Sequence, residues 1–135
     1  MKHLLALALL VAAVPAGAQR VEVAGGDWSN VPAITAQGLQ RISTKSVDKI
    51  EELAKSGQCD VPGLTRRRMD LTVPFMLQFS SDGTLQHVVV RRLGCKQLES
   101  LMAGVVTELA RAGEYKPTGE NQLGWYRSEL ALSLR

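Results

Sequence analysis

The chain has 135 residues, 45% of them hydrophobic, and its 16 Lys and Arg nearly balance 13 Asp and Glu for a net charge of +3. That is material for one domain with a modest core, and so small a charge argues against a nucleic-acid partner held mainly through phosphates. No apolar run approaches the roughly 20 residues that a membrane-spanning helix requires.

In chain order, the first feature is a leader. Lys2 and His3 precede an unbroken apolar run from Leu4 to Val14, and Pro15-Ala16-Gly17-Ala18 ends in a small-residue cleavage site. This is the pattern of a secretory signal peptide over residues 1–18, cut before Gln19. The expectation is a periplasmic protein with no integral membrane segment after cleavage. The mature chain keeps 117 of the 135 residues, and without Lys2 its charge is +2. Residues 19–43 are weakly patterned. Gly25-Gly26-Asp27, Asn30 and Pro32 punctuate them, and they read as an irregular lead-in.

Residues 44–135 read as a single domain. From Thr44 to Ser56, Val47, Ile50, Leu53 and Ala54 share one helical face, Glu51 and Lys55 form an i,i+4 pair, and Gly57 stands as the residue that ends the helix. The stretch from Ile34 to Ile42 could prolong this helix upstream. Cys59-Asp60-Val61-Pro62-Gly63 is a loop, and Arg66-Arg67-Arg68 leads out of it. Leu71, Val73, Phe75, Leu77 and Phe79 then alternate with Thr72, Pro74, Met76, Gln78 and Ser80, the period of a half-buried strand. Pro74 has no N–H for a ladder and argues for an edge position.

Asp82-Gly83 supplies the turn of a hairpin. Centring a two-residue turn there sets Val88 opposite Leu77 and Val90 opposite Phe75, while Leu85 falls on the other face unless a bulge intervenes. Leu98, Leu101, Met102, Val105 and Leu109 follow helical spacing up to Gly113, with Gly104 costing about 1 kcal/mol in mid-helix unless a neighbouring backbone packs close there. Tyr126, Leu130, Leu132 and Leu134 alternate with Arg127, Glu129, Ala131 and Ser133 in a last strand. The order helix, hairpin, helix, strand predicts an α+β domain of two layers, a mainly antiparallel three-stranded sheet with two helices on one face.

After cleavage two cysteines remain, Cys59 and Cys95, an even count in an oxidising compartment. A bond between them closes a loop of about 37 residues, worth about 4 kcal/mol by chain entropy. The competing reading, a metal site with His87 and Asp60, has one imidazole and no close-spaced cysteine pair, so the disulfide is expected and no metal or other cofactor.

From Leu71 onward the chain resembles the C-terminal domain of TonB-type energy transducers. The residues that carry the resemblance are Val73-Pro74-Phe75-Met76-Leu77-Gln78-Phe79, Ser81-Asp82-Gly83-Thr84-Leu85 and Val88-Val89-Val90. A helix after Gly94-Cys95, then Tyr115-Lys116-Pro117, then a terminal alternating strand follow in the same order. The resemblance covers about half the chain. It implies a two-layer fold that pairs with a short extended segment of an outer-membrane receptor and passes on force from the inner membrane. This chain departs from that pattern: it has neither a retained N-terminal anchor nor a Pro-rich spacer, so the expectation is the binding module alone.

No catalytic constellation stands out. His87 is the one imidazole after cleavage, and neither G-x-S-x-G nor H-E-x-x-H occurs. The expectation is a non-enzymatic protein that lends a sheet edge to a protein partner and is compatible with a homodimer. Its alternative is a small exported domain holding a lipid or apolar ligand between sheet and helices. The last strand, which has no proline, is the favoured edge, with Trp125, Tyr126, Arg127 and Glu129 as candidate contacts. Capping of that strand by the lead-in is the competing arrangement. Arg66, Arg67, Arg68, Arg91 and Arg92 are candidates for a basic patch toward anionic groups, or for a solvated rim that protects a strand end.

Overall fold

A computed structural model describes residues 22–38, 41–65, 68–117 and 124–134. The expected signal peptide, Arg66 and Arg67 lie outside these residues. The elements are β1 (Glu22–Ala24), α1 (Thr44–Ser56), β2 (Met69–Phe79), β3 (Leu85–Arg91), α2 (Lys96–Arg111) and β4 (Trp125–Leu134). They form an α+β fold. The sheet has four strands in the order β1-β3-β2-β4, not the three expected, and it is mixed. The lead-in contributes β1, which runs parallel to β3 with Glu22 beside Val89 and Ala24 beside Arg91.

Both helices begin and end where local chemistry dictates. The Ser43 hydroxyl accepts from the Ser46 N–H at 3.3 Å and caps α1. Gly57, at φ 69°, closes it in the left-handed conformation. The Ile34–Ile42 stretch does not prolong α1, because Pro32 and Ile34 are bonded to β4 instead. At the start of α2 the carboxylate of Glu99 is buried, and it accepts from the Leu93 N–H at 2.7 Å. A negative group there answers the free N–H groups of the first turn.

The hairpin adopts the expected register, with Leu77 beside Val88 and Phe75 beside Val90. The ladder shifts between Gln78 and Phe79, so Gln86 is passed over and Leu85 pairs with Phe79. That bulge brings Leu85 against the core. It also makes the turn a three-residue loop rather than two: Ser80 N–H donates to Thr84 C=O at 2.8 Å, and Gly83 takes φ 85°.

Pro74 lies in a central strand, contrary to the edge position its chemistry suggested. β2 pairs with β3 on one side and with β4 along ten positions, Met69 to Gln78, on the other. Phe79 N–H donates to Gly124 C=O, so the odd-numbered amides of β2 face β4 and the even-numbered ones face β3. The β2–β3 ladder stops at Phe75–Val90. Pro74 therefore lacks its donor just where no β3 partner is required.

The core lies between this sheet and the helices. Val73, Phe75 and Leu77 of β2, Val88 and Val90 of β3, and Tyr126, Leu130 and Leu132 of β4 meet Ile50, Leu98, Met102, Val106 and Leu109. Phe75 and Tyr115 pack edge-to-face at 5.3 Å. The Cys59–Cys95 disulfide, with both residues buried, ties the loop after α1 to the N-cap of α2.

Candidate functional site

The far side of the sheet is built differently from the core. Glu22 and Ala24 of β1, His87, Val89 and Arg91 of β3, the even residues of β2 and the odd residues of β4 all point there. The lead-in crosses this face from β1, at one edge, to Ala33, which bridges Arg127 of β4 at the other. Two arginines hold the crossing. Arg91 donates to the Gly26 carbonyl at 2.7 Å and stacks its guanidinium 4.1 Å from the centre of the Trp28 ring. Arg127 Nε donates to the Val31 carbonyl at 2.7 Å. Trp28 and Val89 are buried outside the main core, a small second cluster under the crossing.

The crossing covers little of β4. Arg127 N–H donates to Pro32 C=O, and Arg127 C=O accepts from Ile34 N–H, both at 2.9 Å. These bonds fix the strand's orientation: the odd-numbered amides and carbonyls of β4 point away from β2, and the even-numbered ones pair with it. Beyond Arg127, the backbone groups of Glu129, Ala131 and Ser133 face outward with no backbone partner among the described residues. The side chains of these three residues are exposed. Where the lead-in turns away, a groove of about 500 Å³ opens between Ala33–Ala36 and Arg127–Glu129. Among the described residues, the edge is thus capped at one end and open for the rest.

The candidate contacts fall into distinct places. Arg127 and Glu129 are exposed on the open-edge strand. Tyr126 is buried at 1% and packs edge-to-face on Phe79, so its ring is part of the core and offers no surface to a partner. Trp125, half-buried on the opposite face, stacks on His87 with ring centres 6.0 Å apart. His87 in turn meets Glu22 through Nδ1 at 3.2 Å. Arg66 and Arg67 lie outside the described residues, and the described arginines Arg68, Arg91 and Arg92 lie apart. Arg91 is engaged with Gly26 and Trp28, and Arg92 lies exposed beyond β3. Arg68 precedes Met69, at the end of β2 that pairs with Leu134, about 16 Å along the strand from the level of Arg92.

Sequence reasoning allowed for the lead-in capping the last strand, as it does at Arg127, but missed its path across the sheet face. Gly25-Gly26-Asp27 read as punctuation, and Trp28 carried no signal, because one tryptophan in an unpatterned stretch shows no periodicity. The Asp27 pKa is held below the ordinary carboxylate range by the Ser29 N–H, which donates to its carboxylate at 2.9 Å. Asp82 in the hairpin loop is held down likewise, first by the Ser80 hydroxyl and then by Thr84. Both are turn devices, remote from the open edge. The two thiols are joined to each other, and among the described residues no group of three or more His, Cys, Asp or Glu is placed to hold a metal ion. No helix of the described residues is long and apolar enough to cross a membrane. Comparison with protein-family models, with curated proteins and with solved structures returns no match for this chain.

Proposed function

We propose that this protein is an exported, periplasmic binding module that accepts an extended segment of another protein on the outer edge of β4, in the manner of a TonB C-terminal domain and in the service of envelope transport. The observation that carries the reading is the run of outward backbone donors and acceptors at Glu129, Ala131 and Ser133, on a ten-residue strand without proline. An added strand satisfies each of those groups through main-chain bonds, and alternate side chains then set its specificity. The groove beside Arg127, between the Ala33–Ala36 stretch and Arg127–Glu129, receives the end of such a segment. The disulfide suits an oxidising compartment.

The reading is one of binding, not catalysis. His87 stacks on Trp125 and meets Glu22, and among the described residues no nucleophile is hydrogen-bonded to it. The alternative of an apolar ligand between sheet and helices finds that layer already occupied by Phe75, Leu77, Met102 and Val106, all fully buried. The test is site-specific cross-linking in the envelope. A photo-reactive residue at Ala131 should capture a partner protein, and one at exposed Glu51 of α1 should not. Equal labelling from both positions refutes the edge.

A further inference from the structure

The open part of the β4 edge borders two exposed carboxylates, Glu129 and Asp70. On the far face of the sheet, Glu129 lies beside Pro74, Ala131 beside Thr72 and Ser133 beside Asp70. Asp70, Thr72, Glu129, Ala131 and Ser133 are all exposed. The two carboxylates stand at opposite corners of a low floor made by Thr72, Ala131 and Ser133. Among the described residues, the cations on this face of β2 and β4 are Arg127, whose Nε is bonded to Val31, and Arg68, beyond Asp70. Among the described residues neither arginine forms an ion pair with Glu129 or Asp70.

A strand added to this edge lies about 5 Å from β4 and about 10 Å from β2. Its alternate side chains fall on the same face, beside Glu129, Ala131 and Ser133 in turn. A long basic side chain beside Glu129 meets that carboxylate directly. One beside Ser133 can extend over the short hydroxyl side chain toward Asp70, keeping its charged end in water. An acidic side chain at either position faces like charge, which disfavours a cross-strand pair.

Resting on the strand-addition reading above, we propose that the partner segment is basic, with Lys or Arg at two positions four residues apart on the far face, one beside Glu129 and one beside Ser133. The charges choose the partner while the backbone bonds hold it. The same acidic pattern keeps a second copy of β4 from pairing in the register that sets Glu129 against itself.

The test uses the oxidised protein and fluorescently labelled nine-residue peptides of alternating Val and Thr. Three versions carry Lys, Ser or Glu at both far-face positions. Fluorescence anisotropy at low salt should show the Lys peptide binding at least 10-fold tighter than the Glu peptide, with the gap closing toward 0.5 M salt, where the screening length falls to a few ångströms. Glu129→Lys should close most of the gap, and Glu129→Lys combined with Asp70→Lys should reverse the order. If the three peptides bind alike, and that binding is lost on Ala131→Pro or on N-methylation of the peptide amides that pair with β4, the charge preference is overturned and strand addition stands. The same holds if the double variant leaves the order unchanged. If no peptide binds, or binding ignores both backbone changes, strand addition falls and the basic partner with it.

Discussion

Two proline substitutions four positions or fewer from the groove separate the two sides of β4. Ser128 pairs with Phe75, its N–H and C=O turned into the sheet, whereas the Ala131 N–H points to the open edge. Ser128→Pro removes a ladder bond worth about 1 kcal/mol and leaves the buried Phe75 carbonyl unsatisfied at about 1–3 kcal/mol more. The proline ring adds a steric cost in the middle of the sheet. The sum is roughly 3 kcal/mol. Ala131→Pro loses no intrachain bond and pays only the narrowing of backbone angles at Leu130 and at the proline itself, about 1 kcal/mol or less. For a domain of this size each kcal/mol moves Tm by about 4 °C, so the two variants should differ by about 8 °C. Thermal melts followed by circular dichroism read this directly. Equal loss of stability would show that Ala131 is paired inside the sheet or by another segment, and would refute the open edge.

Three further outcomes are expected. Gly104 is exposed in mid-α2 with nothing within 4 Å of a built Cβ, so Gly104→Ala should stabilise by about 1 kcal/mol; Gly124, at φ 75° and with a Cβ 1.9 Å from the Phe79 carbonyl, should tolerate no such change, and urea titration of the two variants should show opposite shifts. Reduction of the Cys59–Cys95 bond, which spans 36 residues, should cost up to about 4 kcal/mol, and identical urea midpoints with and without reductant would contradict that. Because the folded pKa of Asp82 lies below its ordinary 3.8, its contribution is complete above pH 3.8 and fades as the pH falls through the lower folded value. Asp82→Asn should therefore weaken the protein at pH 6 yet leave it near wild type at the acid end, as measured by melts across that range.

What the chain declares by itself is what depends on neighbours in sequence. A serine and a left-handed glycine bound α1 because capping involves groups within one turn. The alternation from Leu71 to Phe79 states which side chains face the core, since successive strand residues must point opposite ways. The hairpin register and its bulge were readable for the same reason, with Leu85 needing the core face that plain alternation denied it. Strand order and edge exposure were not readable, because they depend on pairings between distant segments. The three residues of β1 are too few to show a period, and they become a strand only because β3, some 65 residues later, offers an edge. Pro74 argued for an edge, yet it sits centrally because the β3 ladder ends beside it. The candidate site shares this split. Arg127 and Glu129 could be placed on one face of a strand from alternation alone. Only the fold decides that Arg127 is held by the crossing lead-in while Glu129, two residues on, stands at an open edge, because a single bridge at Ala33 determines where the covering stops.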